Sequence, residues 1–395
     1  MIKKISLENF KCFRTKEEFD FSKINLLTGV NGRGKSSLLQ SLLLLSQTFR
    51  KKRTPEKLFI NGEWVELGSF EDIKNIDSVD KEIHIIVETD NEEQNRLSFK
   101  YGESATNERI ADLLELKVNE KDMFTEMSSS AEEKISTIKL PKKNLMPLES
   151  IKAFSVFYKF RFISADRLGP VDFVKKIDET PESMQIGIRG NNVINMLAYN
   201  GNKVVNDGIC LNDTPTKTLK EQTIEWLSYI LDGANIEIKK EKNSSILSML
   251  LNSRNDKHLY KPANVGFGYS YILPLIVTGL TAQEGDIYIV ENPEAHLHPG
   301  AQARLIEFFA KIAAAGVQVF LETHSEHIIN GMRLCALKAK FDLTYKDVSM
   351  YFFGNQFEVN KLEMDEDSQI KNWPEGFFDQ QEKDLAEILK LGLFK

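Results

Sequence analysis

The sequence has little of what stabilises secreted or membrane proteins. Its 395 residues include only three cysteines, Cys12, Cys210 and Cys335, which are too scattered for a zinc site or a disulfide framework. No apolar run approaches the ~20 residues that span a bilayer, and the start, MIKKISLENF, lacks the apolar core of a signal peptide. We therefore expect a cytoplasmic protein that makes no membrane contact.

The net charge and the lack of repeats also limit the possible functions. The net charge of −7 argues against bulk attraction to nucleic acid, although it leaves room for a local basic groove. The densest basic run, Arg50 to Arg53, has no interleaved aromatic residues and is most simply a solvated helix end. Internal repeats and long heptad arrays are missing, so a coiled-coil arm that tethers DNA over a distance is not expected.

A glycine-rich stretch, GVNGRGKS, fits the pattern G-x-x-x-x-G-K-[ST] at every fixed position. It lies between a short apolar strand predicted at 24–27 and an apolar-faced helix predicted at 37–46. Such a loop directs backbone N–H groups at phosphates, while its lysine reaches the β- and γ-phosphates and its hydroxyl residue binds Mg²⁺. The sequence therefore predicts an ATP and Mg²⁺ site with Gly29, Asn31, Gly32, Arg33, Gly34, Lys35, Ser36 and Ser37 as candidate residues.

Acidic and histidine residues follow two later apolar runs. Residues 287–290 read as a buried strand that ends at Glu291, which would hold the Mg²⁺-bound water. A helix is predicted after Pro299, and the next strand, at 317–322, is followed by His324. His324 could bind a γ-phosphate and orient the attacking water, or it could be an ordinary loop histidine. His296 and His298 lack further nearby ligands, so a zinc site there is not expected.

These motifs resemble a known family. NFKCF at 9–13, the phosphate loop, ENPEAHLHP and ETHSEHIINGMR are similar to ABC-type ATPase domains of the SMC, RecF and overcoming-lysogenization-defect kind. The resemblance is strong over roughly 1–50 and 260–390. NWPEGFFDQ, at 372–380, resembles an element that closes a bacterial group of stand-alone ATPases. Among characterised proteins, the nearest relatives suggested are the ATPase subunits of Septu-type antiphage systems, which work beside a separate HNH nuclease.

The resemblance implies an α/β fold: an ABC-type ATPase head with a mixed or parallel central sheet, an antiparallel β subdomain and a helical lobe. The expected domains are an N-terminal lobe at 1–105, an inserted helical or mixed lobe at 106–262, a C-terminal lobe at 263–345 and the closing element at 346–395. Two such heads would enclose nucleotide as a homodimer or higher oligomer. Nucleic acid could be contacted through the complex.

Two positions depart from the family pattern. The signature that would complete the partner's site is NVGFGYS instead of the LSGGQ form, with Gly266, Gly268 and Ser270 expected to touch the partner's γ-phosphate. The alternative is a simple turn before a buried helix. Asn292 stands where a water-activating Glu usually follows the Walker-B acid, and an amide cannot accept a proton at neutral pH. Either Glu294 is recruited, His324 polarises the water, or hydrolysis is slow; we favour slow turnover.

The intervening chain gives weaker signals. Residues 58–101 predict a small antiparallel sheet, 103–147 a polar and partly helical segment, and 154–163 a strand. Helical periodicity extends over 185–231. Arg167, in SADRLGP, could either meet a phosphate or brace a loop.

Three functions remain open at this point. The first is an ATP-dependent dimer that regulates a partner effector, plausibly a nuclease in phage defence. No acidic cluster resembling a Toprim nuclease follows ETHS, so we place the nuclease activity in another chain. The second is a DNA-repair or DNA-clamp ATPase of the RecF kind. The third, a transporter ATPase subunit, is disfavoured by the NFKCF start and the unusual signature.

Overall fold

The computed structural model describes residues 1–125, 151–177, 180, 184–211, 216–240, 244–252 and 258–393. The chain divides into two compact units. Unit 1 comprises residues 1–22, 34–160 and 285–287, and unit 2 comprises residues 23–33, 161–284 and 288–395. Both units are assembled from separate stretches of chain, so neither corresponds to a single continuous segment.

Sixteen strands are formed by the described residues. In chain order they are β1 (Ile2–Glu8), β2 (Glu17–Asp20), β3 (Ile24–Gly29), β4 (Lys57–Phe59), β5 (Glu82–Thr89), β6 (Arg96–Glu103), β7 (Ile110–Val118), β8 (Lys121–Thr125), β9 (Phe160–Ile163), β10 (Phe173–Lys175), β11 (Asn235–Lys240), β12 (Ile246–Asn252), β13 (Ile287–Glu291), β14 (Gln318–Glu322), β15 (Val348–Phe353) and β16 (Val359–Leu362).

The same residues form eight α-helices and several 3₁₀ turns. The helices are α1 (Lys35–Lys52), α2 (Phe70–Ile73), α3 (Val193–Asn200), α4 (Leu219–Ile230), α5 (Phe267–Leu280), α6 (Pro299–Ala314), α7 (Glu326–Leu337) and α8 (Gln380–Leu393). No helix in this part of the chain is long and apolar enough to cross a bilayer.

Unit 1 is built on an antiparallel sheet with the order β2-β1-β5-β6-β7-β4, in which β8 also pairs with β7. The antiparallel sheet predicted from the alternating residues of 58–101 is confirmed, since β5 pairs with β6 in the register Val87 to Leu97. Helix α1 belongs to the same unit, where the Phe49 ring stacks on Phe157 with centroids 4.6 Å apart. An aromatic cluster therefore anchors the helix that follows the phosphate loop.

Two local predictions in this unit were wrong. Residues 110–118, expected to be polar and partly helical, form β7, because their alternating apolar residues are buried against the sheet. Residues 121–125 of the same segment form β8, and residues 126–147 lie outside the described residues. The strand predicted over 154–163 is shorter than expected, since Lys152–Tyr158 forms a 3₁₀ helix and only Phe160–Ile163 is extended.

The second sheet, most of which belongs to unit 2, has the order β16-β15-β3-β14-β13-β9. Strand β3 is parallel to both β14 and β15, with Leu26 opposite Leu321 on one side and Met350 on the other. Strand β14 lies between β3 and β13, so the ends of the phosphate-loop strand, the histidine strand and the acidic strand are neighbours. The predicted mixed α/β architecture is confirmed.

The part of unit 2 between β9 and α5 contains both helices and strands. The helical periodicity over 185–231 resolves into α3 and α4, separated by a loop and a 3₁₀ turn. A three-stranded antiparallel sheet, β10-β12-β11, accompanies them. The Trp226 side chain is fully buried against Phe308 of α6, with ring centroids 4.9 Å apart. This contact joins the inserted helices to the core around the central sheet.

Candidate functional site

The phosphate loop turns sharply between β3 and α1. Gly29, Gly32 and Gly34 have φ values of 123°, 72° and 113°, a region that residues with a Cβ rarely adopt. A Cβ at Gly29 would overlap the backbone of Phe353, whose carbonyl accepts a hydrogen bond from Val30 N at 2.9 Å. Gly32 faces open space. The motif therefore needs glycine for two reasons, backbone conformation and close packing on β15.

Helix α1 begins at Lys35, and its N-cap residue, Gly34, provides no side-chain hydrogen bond. The first amides of a helix have no partners within the helix, and together with the helix dipole they favour a bound anion. Lys35 is buried, while Ser36 and Ser37 are half-buried. Asn31 is exposed. The predicted phosphate-binding residues thus lie on the loop and on the first turn of the helix.

Arg33 makes a contact that sequence reasoning did not anticipate. Its guanidinium carbon lies 4.8 Å from the centroid of the Phe357 ring, in the turn between β15 and β16. Cation–π contacts of this kind are typical of Arg over an aromatic face. The stacking orients Arg33 within unit 2. Because Phe357 is distant in sequence, no local pattern predicted this contact.

The acidic strand ends as predicted. Glu291 is the last residue of β13, and its Oε2 accepts a hydrogen bond from the Ala165 amide at 3.0 Å. Burial raises the pKa of the Glu291 carboxyl, against the lowering effect of the Ala165 amide and of nearby Arg167. A carboxylate is a hard oxygen ligand of the kind that Mg²⁺ prefers. Within unit 2, Glu291 therefore offers a hard oxygen donor of the kind that suits Mg²⁺.

Arg167 braces the turn after Glu291. Its side chain is only 2% exposed, and it donates to the backbone carbonyl oxygens of Glu291 and Asn292 at 2.9 and 2.5 Å. Of the two roles considered for Arg167, the structure shows the bracing one. Burial lowers the pKa of Arg167, but an arginine remains charged.

Asn292 occupies the position of the usual water-activating Glu in a strained conformation. Its φ is 44°, its backbone N donates to Glu322 O at 2.8 Å, and its Oδ1 is buried without a hydrogen-bond partner among the described residues. Asn tolerates the left-handed region better than most residues. The amide at this position therefore fits the backbone, although it supplies no base.

Glu294 connects the acidic turn to the end of β14. Its Oε1 accepts from the backbone N of His324 at 2.7 Å, and its Oε2 accepts from the Thr323 hydroxyl at 2.9 Å. The His324 side chain itself is exposed. Thr323 was missed from the sequence, although its position between Glu322 and His324 was a usable signal. The structure thus brings Glu291, Asn292, Glu294 and His324 to neighbouring strand ends.

The signature segment forms the start of α5, whose first residue is Phe267. Gly266 is the N-cap, again without a side-chain cap, and a Cβ there would meet nothing within 4 Å. Gly268 is packed tightly, because a Cβ there would lie 2.7 Å from His296 O. Ser270 lies inside the helix, is 7% exposed, and its Oγ has no partner among the described residues. Only Gly266 of these three presents an open backbone.

A cleft of about 500 Å³ opens beside this helix end. Arg304 lies on its wall and donates to Asp232 Oδ2 at 2.8 Å and to Ile230 O. His298 also lines the cleft and caps α6 by accepting from Gly300 N. Across the described residues, no group of three or more His, Cys, Asp or Glu side chains comes together as a metal site. The cleft therefore combines two helix starts with a cationic side chain.

The basic run at the end of α1 is engaged within unit 1. Arg50 donates to Tyr158 O and Phe160 O at 3.2 and 2.8 Å, and its guanidinium lies 4.5 Å from the centroid of the Trp64 ring. The Lys51 ammonium lies 4.2 Å from the centroid of the Phe59 ring. These contacts explain the first half of the run by local packing.

The fold and the strand-end constellation define a P-loop ATPase. Residues 1–329 match the AAA ATPase domain family (AAA_15), and the chain belongs to this family. Residues 343–388, which include NWPEGFF, match a protein family of unknown function (DUF3696). No curated protein matches the chain.

Similar solved structures are SMC heads. An SMC head bound to the C-winged helix domain of ScpA is 12% identical, with 92% of this chain and 98% of that chain covered and a TM-score of 0.50. An SMC head domain from Thermotoga maritima is 11% identical, covering 92% and 99%, with a TM-score of 0.46. An SMC head with an extended coiled coil from Pyrococcus furiosus, bound to the C-terminal domain of ScpA, is 11% identical, covering 98% and 99%, with a TM-score of 0.49. At such identity, the first of these shows a shared fold alone.

Proposed function

We propose that the protein binds ATP with Mg²⁺ and hydrolyses it slowly. In unit 1 the support is the start of α1, which no side chain caps, and the Ser36 hydroxyl. In unit 2 it is the positive φ of Gly29 and Gly32 and the Glu291 carboxylate at the end of β13. Lys35 would contact the β- and γ-phosphates, and the metal supplies charge neutralisation when it is bound. His324, exposed at the end of β14, would orient water at the γ-phosphate.

The engagement of Glu294 carries the proposal of slow turnover. Asn292 has no carboxylate, and both oxygens of the next carboxylate, Glu294, accept hydrogen bonds from Thr323 and His324. A general base needs a free lone pair within reach of water, and each oxygen of Glu294 already accepts a hydrogen bond from the protein. The arrangement supports a site that holds nucleotide longer than it cleaves it.

We infer that two copies close on nucleotide. The uncapped start of α5 at Gly266 supports this, since it offers backbone N–H groups to a partner's γ-phosphate. Gly268 would keep that helix close to the turn at His296. The buried Ser270 would support the helix from within, and its hydroxyl would reach a phosphate only if the helix start moved.

The wider role that we propose is control of a separate effector, an HNH-type nuclease in cytoplasmic antiphage defence. Its support is the resemblance of the motifs to Septu-type ATPase subunits. A nuclease gene beside this one, whose product co-purifies with the ATPase in a nucleotide-dependent manner, is the expected finding. A permease gene in that position would instead favour a transporter subunit.

The DNA-clamp alternative receives less support. The basic run that could have formed a contact surface is partly occupied by packing against Trp64 and Phe59. Binding to duplex DNA with a steep dependence on salt would nevertheless favour the alternative.

The direct test of the proposed function is ATP binding by calorimetry with and without Mg²⁺, followed by steady-state hydrolysis. We expect Mg²⁺-enhanced binding and turnover well below about 10 s⁻¹, the median for enzymes. Absence of ATP binding would overturn the assignment of the site, and fast turnover would overturn the slow-hydrolysis proposal alone.

A further inference from the structure

Arg167 links two parts of unit 2 that the sequence keeps far apart. On one side it donates to the carbonyl oxygens of Glu291 and Asn292. On the other side its guanidinium carbon lies 5.3 Å from the centroid of the Tyr271 ring, near the start of α5. The residue is buried, and its Nε has no partner among the described residues. Burying an arginine that binds two backbone carbonyls without a bidentate carboxylate is energetically costly. We therefore expect its position to serve a role.

A second contact runs parallel to the first. The Tyr271 ring meets the His296 ring edge-on, with centroids 4.6 Å apart, and the Phe267 ring lies 5.4 Å from His296. Gly268 lies against the His296 carbonyl. The first turns of α5 therefore contact the segment 291–296 directly at His296 and, through Arg167, at Glu291 and Asn292.

That segment is held in a conformation that it would not adopt alone. Asn292 and His296 both have positive φ, at 44° and 62°. Non-glycine residues adopt this region rarely and persist there where surrounding contacts determine them. Arg167 supplies two of those contacts, one to the backbone carbonyl of Glu291 itself and one to that of Asn292.

We propose that Arg167 is a positioning residue that couples the start of α5 to the orientation of Glu291. The inference rests on the proposed function, since it gives meaning to Glu291 as a Mg²⁺ ligand. A group that binds at the open start of α5 and shifts Tyr271 also shifts Arg167 and, through two hydrogen bonds, the carboxylate at the end of β13. Mg²⁺-assisted ATP binding at Glu291 then depends on whether a group is bound at the start of α5.

The test compares ATP affinity in EDTA with ATP affinity in Mg²⁺ for four variants. Arg167→Lys keeps the charge but loses the paired donors, so ATP affinity in EDTA should stay within about twofold of the parent. The gain in affinity from Mg²⁺ should fall by roughly 10-fold or more, as is typical when a residue supporting a metal ligand is removed. Tyr271→Leu should cause a smaller loss in the same direction, and Tyr271→Phe should behave like the parent. Arg189→Lys is the matched control, because Arg189 is an exposed arginine paired with Asp166 in the same region.

The double variant Arg167→Lys, Tyr271→Leu measures how strongly the two residues depend on each other in their effect on Mg²⁺-dependent ATP affinity. Its loss of Mg²⁺-dependent affinity should be smaller than the combined effect of the two single changes, since both act through one contact. Thermal unfolding of each variant without nucleotide serves as the folding check. If Arg167→Lys retains the parent's Mg²⁺ gain, or if all losses follow the unfolding temperature and combine independently, the inference is overturned. A parent that binds no ATP overturns the proposed function instead.

Discussion

The backbone amide of His324 donates to Oε1 of Glu294 at 2.7 Å, and the Thr323 hydroxyl donates to the other oxygen of the same carboxylate. Glu294, the first carboxylate after Asn292, is thus part of the connection between β13 and β14. The structure thus gives Glu294 an acceptor role beside the water-activating role that the sequence left open, and the two can be separated because a structural acceptor and a general base respond differently to substitution.

Glu294→Gln should leave the rate of ATP hydrolysis within about threefold of the parent. The Gln side chain keeps a carbonyl oxygen for the His324 amide, and its NH₂ can donate to Thr323, so the connection survives. Glu294→Ala should lower the free energy of unfolding by about 1–3 kcal/mol, since it removes the acceptor of the Thr323 hydroxyl and of the His324 amide. Denaturant titration and steady-state hydrolysis measure the two quantities. Loss of 10²-fold or more in the rate with Glu294→Gln would identify Glu294 as the base.

Restoring a carboxylate at the preceding position should have the opposite effect. Asn292→Glu should raise steady-state hydrolysis by about tenfold or more, because general bases typically contribute 10²–10⁴-fold and the new group is imperfectly placed. Asn292→Gln is the control for size and for the positive φ, and it should not raise the rate. An unchanged rate in Asn292→Glu, with ATP binding intact, would show that the base is not the limiting element.

The two glycines of the signature segment should respond differently to a methyl group. Gly268→Ala places a Cβ 2.7 Å from His296 O, and overpacking against backbone costs about 1–3 kcal/mol, partly offset by the better helix propensity of Ala. Gly266→Ala meets open space and should cost only a few tenths of a kcal/mol, as expected for a weaker N-cap. Thermal unfolding without nucleotide compares them. Equal effects would argue against the close approach of α5 to the His296 turn.

The sequence predicted those parts of the fold and site in which local pattern and function coincide. The strands that end at Gly29, at Glu291 and just before His324 are short apolar runs of the kind that a parallel sheet requires. Their order along the chain could therefore be predicted. The role of Arg167 could not be predicted from the sequence, because its partners are the backbone carbonyls of residues 291 and 292. No sequence pattern relates an arginine to backbone carbonyls so far along the chain. The misjudged segment 110–118 shows a related limit, since it belongs to the longer polar stretch 103–147, whose overall composition masked the apolar residues that the sheet buries on one face of β7.

Lys35→Ala should weaken ATP binding by more than roughly tenfold, in line with the loss of a hydrogen bond between charged groups. Lys35 begins α1 directly behind the phosphate loop and is the lysine of the motif. Lys52→Ala, at the exposed end of the same helix, is the matched control and should bind ATP like the parent. Calorimetry that finds parental affinity in Lys35→Ala would remove the phosphate loop from the nucleotide site.

Nucleotide-dependent pairing of two copies is best tested at Gly266, because substitution there is not confounded by packing. ATP with Mg²⁺ should increase the particle mass measured by light scattering in the parent, or lock a dimer that is already formed. Gly266→Asp and Gly266→Asn introduce side chains of equal size that are both good N-caps, so both should fold like the parent. Only Asp places a negative charge where the partner's γ-phosphate would approach, and repulsion at that distance should abolish the ATP effect in Gly266→Asp while Gly266→Asn retains most of it. If both variants assemble with ATP as the parent does, the start of α5 does not face the partner's nucleotide; if the parent shows no ATP effect on mass or compactness, the proposal of a nucleotide-closed dimer fails as a whole.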